Sequence, residues 1–210
     1  NRSILGWNQE MWLENRLKKT NARWTVLGQQ VMLAPQRWSV TKDLIEQESS
    51  GSSQELNMAM QKETIKPELT KNLDAWDGYP IARSRLYKTV AEHKKRLIAL
   101  SGDTHFSSAH NLVDKSGQLI GVEFGTTSVT SPSFWDNVNI NKIELEKKQL
   151  DFNDGMQFLH LRNRGYLLVE IDREKTEGKW HLIDDVKTKN YKTWVEKTLS
   201  LVGNGKDGLI

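Results

Sequence analysis

Residues 97–105 read Leu97-Ile98-Ala99-Leu100-Ser101-Gly102-Asp103-Thr104-His105, and the way this stretch divides decides the fold class. Its first four residues are apolar without a break, the pattern of a short strand buried on both faces. The next two, Ser101 and Gly102, are turn formers, and behind them come a carboxylate and an imidazole separated by one residue. Polar groups placed just past the C-terminal end of a buried strand occupy the position where α/β proteins build their sites. Thr104 lets both neighbours leave a tight turn toward one point, and carboxylate oxygen with imidazole nitrogen suits Zn, Mn or Fe. The plainer alternative is Asp103 capping a helix at 106–112, with His105 merely packed or exposed.

Upstream, residues 78–95 carry Ile81, Leu86, Tyr87 and Val90 between charged positions, which predicts a helix leading into that strand. Ahead of it stands Asp74-Ala75-Trp76-Asp77-Gly78-Tyr79-Pro80, with two carboxylates, two aromatics, a glycine and a proline in one turn. Asp77 as helix N-cap with Pro80 in the first turn is the plain reading; a site carboxylate is the functional one. Arg83 and Arg85 follow, and an i, i+2 pair on a helix points to different faces, so at most one looks into a site with Asp77. Either has the fork that binds a phosphate oxygen, and surface ion pairing is the ordinary use. Residues 7–20 predict an amphipathic helix with Asn8 as a cap, and 24–33 a β-prone run ending before Pro35. Residues 41–66 are polar and serine-rich, a surface insertion.

Downstream, 119–124 reads as a strand, 126–130 as a Ser/Thr-rich turn closed by Ser131-Pro132, and 166–171 with 180–186 as an antiparallel hairpin turning at Glu177-Gly178. This order of helices and strands gives an α/β architecture with at least one mixed sheet, expected to be incomplete. No repeat period is visible.

Composition narrows the function. The chain of 210 residues has a formal charge of +3, and its basic runs, Lys18-Lys19 and Lys94-Lys95-Arg96, are too short for a nucleic-acid footprint. Cysteine is absent, which excludes disulfides and thiolate metal ligands within this chain. No apolar run approaches the roughly 20 residues of a membrane span, so the chain is expected to be soluble. It opens at Asn1 without an initiating methionine, so residues upstream are expected, and its N-terminus has no signal-peptide pattern. His110, His160 and His181 have no sequence partner and read as structural or exposed, and the tryptophans as core and sheet packing.

Six blocks then stand in a familiar order: LGWNQEMWLENRL, WTVLGQQVMLAP, DAWDGYPIARSRL, LIALSGDTHFSSAHNL, VEFGTTSVTSPS and RNRGYLLVEI. In wording and order they resemble the PhoD-like alkaline phosphatases of the calcineurin-like metallophosphatase superfamily, over most of residues 3–171. The resemblance implies an α/β fold, part of a four-layer αββα sandwich with a mixed sheet, the whole of 1–210 being the C-terminal half of one domain. It implies Asp103 and His105 as catalytic metal ligands, Asp77 as a further ligand ahead of Asp74, and Arg83 as a contact to the phosphoryl group. Iron and calcium are the implied cofactors, a phosphate ester the substrate, and the periplasm or cell exterior the location. The family's remaining ligands, in a G-D-x-x-D block, an asparagine-centred turn and a cysteine, have no counterpart in this chain. The missing N-terminal half is therefore the expected partner, and this segment alone is expected to turn over little. Another calcineurin-like phosphoesterase and a non-catalytic binding module are the rival readings.

Overall fold

A computed structural model describes residues 2–38, 72–203 and 207–210. The first helix, α1 (Trp7–Lys19), turns Leu13 and Leu17 inward, and Arg16, Lys18 and Lys19 in its last turn complement the helix dipole. Its N-cap is Gly6 at φ 75°, so Asn8, expected as the cap, lies inside the first turn instead. Strand β1 (Thr25–Gly28) follows, far shorter than the predicted run. The Gln29 amide still donates to Leu100 O at 3.0 Å, and beyond it the amides of Leu33 and Ala34 donate to the Glu123 carboxylate, at 2.7 Å each.

Helix α2 (Pro80–Glu92) begins with its proline in the first turn, behind a short 3-10 turn at Trp76–Gly78, and buries Ala82, Leu86, Tyr87 and Val90. It returns the chain to β2 (Leu97–Ser101). The segment that follows, offered as a helix at 106–112, is instead β3 (Ser107–Val113), zipped antiparallel between β4 (Leu119–Gly125) and β5 (Met156–His160). Two flanking ladders outweigh local propensity at Ser107, Ser108 and Ala109, none of which is a strong strand former by itself. Between β4 and β5 lies α3 (Lys142–Phe152), capped by the Asn141 side chain on the Glu144 amide.

These strands make one five-stranded mixed sheet in the order β1-β2-β4-β3-β5, with β1, β2 and β4 parallel. Alternation along β2 sends Leu97 and Ala99 to the α1/α2 side and Ile98 to the other. That other side meets a three-stranded antiparallel sheet, β6 (Arg164–Ile171), β7 (Lys175–Ile183) and β8 (Thr193–Val202). Trp180 fills the space between the sheets, 5.8 Å from the Phe124 ring and 4.8 Å from Phe158. The predicted turn at Glu177-Gly178 is in fact mid-strand. A Cβ on Gly178 would sit 2.8 Å from the Phe124 ring, so the facing sheet leaves no room for a side chain there, and the hairpin turns at Asp172, whose Oδ1 accepts the Glu174 and Lys175 amides. The predicted insertion at 41–66 lies outside the described residues. No helix among the described residues is long and apolar enough to cross a membrane.

Candidate functional site

The turn after β2 sits at the C-terminal ends of the three parallel strands. The Gly102 amide donates to Gln30 O at 3.3 Å beyond β1, and the Thr126 amide beyond β4 donates to Ser101 O at 2.9 Å. Inside the turn Thr104 N–H reaches Gly102 O at 2.8 Å, a tight reversal. Asp103 has φ 67° and His105 φ 56°, so two residues with side chains hold left-handed backbone within three positions. Such conformations cost about 1–2 kcal/mol each for residues with a Cβ and persist where the surroundings over-determine them. Asp103 is exposed and its carboxylate makes no hydrogen bond or ion pair among the described residues. His105 is half-buried, with Nδ1 2.7 Å from the Pro132 carbonyl oxygen and Nε2 unengaged among the described residues. Below them Thr127 Oγ1 lies 3.2 Å from the carbonyls of both His105 and Asn163, tying the turn to the entry of β6.

Asp77 and Arg83, the other candidates, are spent on one another. Arg83 Nη1 stands 2.5 Å from Asp77 Oδ1 and 3.3 Å from Leu33 O, while Asp77 Oδ2 accepts the Gln36 amide at 2.9 Å. Their side chains are only 8% and 13% exposed, so the pair acts as a buried clip on the segment leaving β1. Among the described residues no three carboxylate or imidazole groups converge, so the structure does not bring Asp77 to Asp103 and His105. Asp74 is exposed in its turn, and Arg85 pairs with Glu10, joining α2 to α1.

The sequence reading missed Glu123. It lies at the centre of β4 with no solvent exposure, and burial pushes its carboxyl pKa up against the lowering effect of the Leu33 and Ala34 amides. A lone acid inside the apolar run VEF was the available signal. His110, its register partner on β3, is buried with Nε2 unbonded among the described residues, and burial pushes its pKa down to about 4. His160 is also buried, with Nε2 3.0 Å from Asn163 Oδ1 and Nδ1 3.3 Å from Glu196, and His181 stacks on Tyr166 at 4.8 Å.

The family model described as PhoD-like phosphatase matches residues 1–180, which take in both the Asp103–His105 turn and the Asp77 clip. The chain belongs to the PhoD-like phosphatase family. Alkaline phosphatase D of Bacillus subtilis (strain 168) is 35% identical over 136 residues, 62% of this chain and 19% of that protein. A solved structure described as "Structure of PhoD" superposes with a TM-score of 0.75 at 23% identity, covering all of this chain and 35% of the other. The chain thus spans about a fifth of the curated relative and about a third of the solved one. The PhoD-like match agrees with the mixed α/β architecture described above, and at this identity the solved structure bears on the fold alone.

Proposed function

We propose that the protein to which this chain belongs hydrolyses phosphate esters, and that the turn after β2 supplies Asp103 and His105 to its metal centre. The observation that carries this reading is the pairing, at the strand ends, of an exposed carboxylate with an imidazole, both on left-handed backbone, the carboxylate and the second ring nitrogen having no partner among the described residues. The donor set fits a hard or borderline cation, and iron and calcium are the proposed occupants. A cation bound there would supply the positive charge that polarises a phosphoryl group and acidifies a water molecule.

The residues of this chain do the holding. Asp103 would contribute negative charge and His105 the lone pair of a ring nitrogen, and Thr127 anchors the His105 backbone. Two ligands do not complete a cage, so the remaining ones are proposed to come from the rest of the domain, with residues 1–210 forming its C-terminal part. Arg83 is better read as the partner of Asp77 than as a phosphoryl contact, and Asp77 as a clip on the 33–36 segment than as a metal ligand. Operation outside the cytoplasm is proposed from the family.

The test is turnover of nitrophenyl phosphate and bis(nitrophenyl) phosphate by the full-length protein and its Asp103→Asn variant. Loss of more than about 100-fold in kcat is expected with an unchanged melting temperature, since even outer partners of a metal ligand are worth 10–100-fold. Full activity in the variant, or after thorough chelation, would refute the reading.

A further inference from the structure

We propose that Arg164 and Asp136 are positioning residues. By gripping the 131–133 turn from both sides they hold the Pro132 carbonyl against His105 Nδ1, and so fix the imidazole in the tautomer that offers Nε2. A carbonyl oxygen can only accept, so at 2.7 Å from Pro132 O the Nδ1 atom must carry the proton. The neutral ring then has its lone pair on Nε2, the nitrogen left for a cation. An unconstrained imidazole exchanges between the two forms, so the position of one carbonyl decides which nitrogen can coordinate.

That carbonyl is fixed with unusual thoroughness for an exposed turn. On its N-terminal side Ser131 O accepts from Arg164 Nε at 2.7 Å and from Ser128 Oγ at 2.5 Å. On its C-terminal side the Ser133 amide donates to Asp136 Oδ2 at 2.8 Å, and Ser133 Oγ in turn accepts the Trp135 amide at 3.3 Å. Arg164 Nη2 pairs with the same Asp136 oxygen, so the two grips are tied to each other across Pro132. The proline itself has one locked dihedral. Arg164 is the first residue of β6, where the next amide, Gly165 N–H, donates to Ser128 O at 3.1 Å. The second sheet therefore reaches over the end of the first and sets its histidine. Neither Arg164 nor Asp136 is placed to bind the cation; both act through Pro132.

This inference rests on the metal-centre reading only for the use to which Nε2 is put, and it is tested without turnover. The protein is labelled with ¹⁵N-histidine, stripped of metal by chelation, and studied by NMR above the imidazole titration range, the His105 signals being those that vanish in His105→Gln. A protonated Nδ1 and a bare Nε2 are expected. In Arg164→Ala both nitrogens should move toward averaged shifts while the Trp180 indole N–H, bonded to Gly125 O at 2.9 Å, keeps its position as a reporter of the intact core. Should that reporter move, Asp136→Ala is read by the same criterion. A proton on Nε2 in the unaltered protein, or an undiminished Nδ1–H in a variant with an intact core, overturns the proposal. Adding Zn²⁺ as a diamagnetic probe separates the two ideas. A shift of Nε2 supports both, whereas two unmoved nitrogens sink the metal centre and leave the tautomer assignment standing.

Discussion

Glu123 and Asp103 are both carboxylates of the five-stranded sheet, one in the middle of β4 and one just past the end of β2, and the fold treats them in opposite ways. Glu123 is wholly buried, one oxygen accepting the Leu33 amide and the other the Ala34 amide. Asp103 is exposed, unpartnered among the described residues, and held at φ 67°. A satisfied buried carboxylate shapes the chain around it, whereas an unsatisfied one on unfavourable backbone lowers stability and keeps charge available for a ligand. Asp77 belongs with Glu123 in this comparison: two buried acids clip the segment after β1, at 33, 34 and 36, and that segment props the site turn through Gln30 O.

The sharpest way to break the comparison is to remove the buried acid. Glu123→Ala strands two buried amides, each worth about 1–3 kcal/mol when left unpaired, so a loss of about 2–6 kcal/mol in urea unfolding is expected. A loss under about 1 kcal/mol would mean that Glu123 clamps nothing.

Proton linkage sharpens it next, because the buried pair Glu123 and His110 respond to pH in opposite senses. His110 has its pKa lowered from 6.5 to about 4, so it contributes stability above pH 6.5 that is lost as pH falls toward 4. The full shift corresponds to about 3 kcal/mol, of which about 2 kcal/mol is realised between pH 7 and pH 4.5, and His110→Leu should remove that share of the acid sensitivity in melts at those two values. Glu123, with its pKa raised above 4.5, contributes stability below that value that fades as pH rises through its folded pKa. Glu123→Gln should therefore flatten the high-pH side of the stability profile; an unaltered slope would contradict the burial.

The smallest effect has the opposite sign. Asp103→Gly relieves left-handed backbone and should raise stability by up to about 1 kcal/mol, after allowing for glycine's greater freedom in the unfolded chain, while abolishing turnover. Lower stability in that variant would show that Asp103 supports the turn instead of being imposed on it.

What could be read in advance follows the range of the interactions. The Asp103–His105 turn was legible because strand, small residues and both polar groups lie within nine consecutive positions. Helices α1 and α2 were legible from periodicity. Gly178 misled because its reason is the Phe124 ring of another sheet, and β3 misled because its two partner ladders come from residues up to 53 positions away, Ser107 pairing with His160. Asp77 stood out because its neighbours are unusual, and Arg83 was close enough in sequence to be weighed beside it, but its bond to the Gln36 amide, 41 positions away, could be recognised only in three dimensions. Glu123 was missed for the same cause, its amide partners lying 90 and 89 residues distant. Arg164 reaches Ser131 and Asp136 across 33 and 28 positions, beyond sequence reasoning, whereas the Asp136 hold on the Ser133 amide spans three positions and is a local capping box.

The central claim, that Asp103 and His105 share a cation, is tested most directly by anomalous diffraction from crystals of the full-length protein. The account predicts a metal peak within about 2.0–2.6 Å of both an Asp103 carboxylate oxygen and His105 Nε2. A bound metal that touches neither group, with Asp103 still turned to solvent, would contradict it.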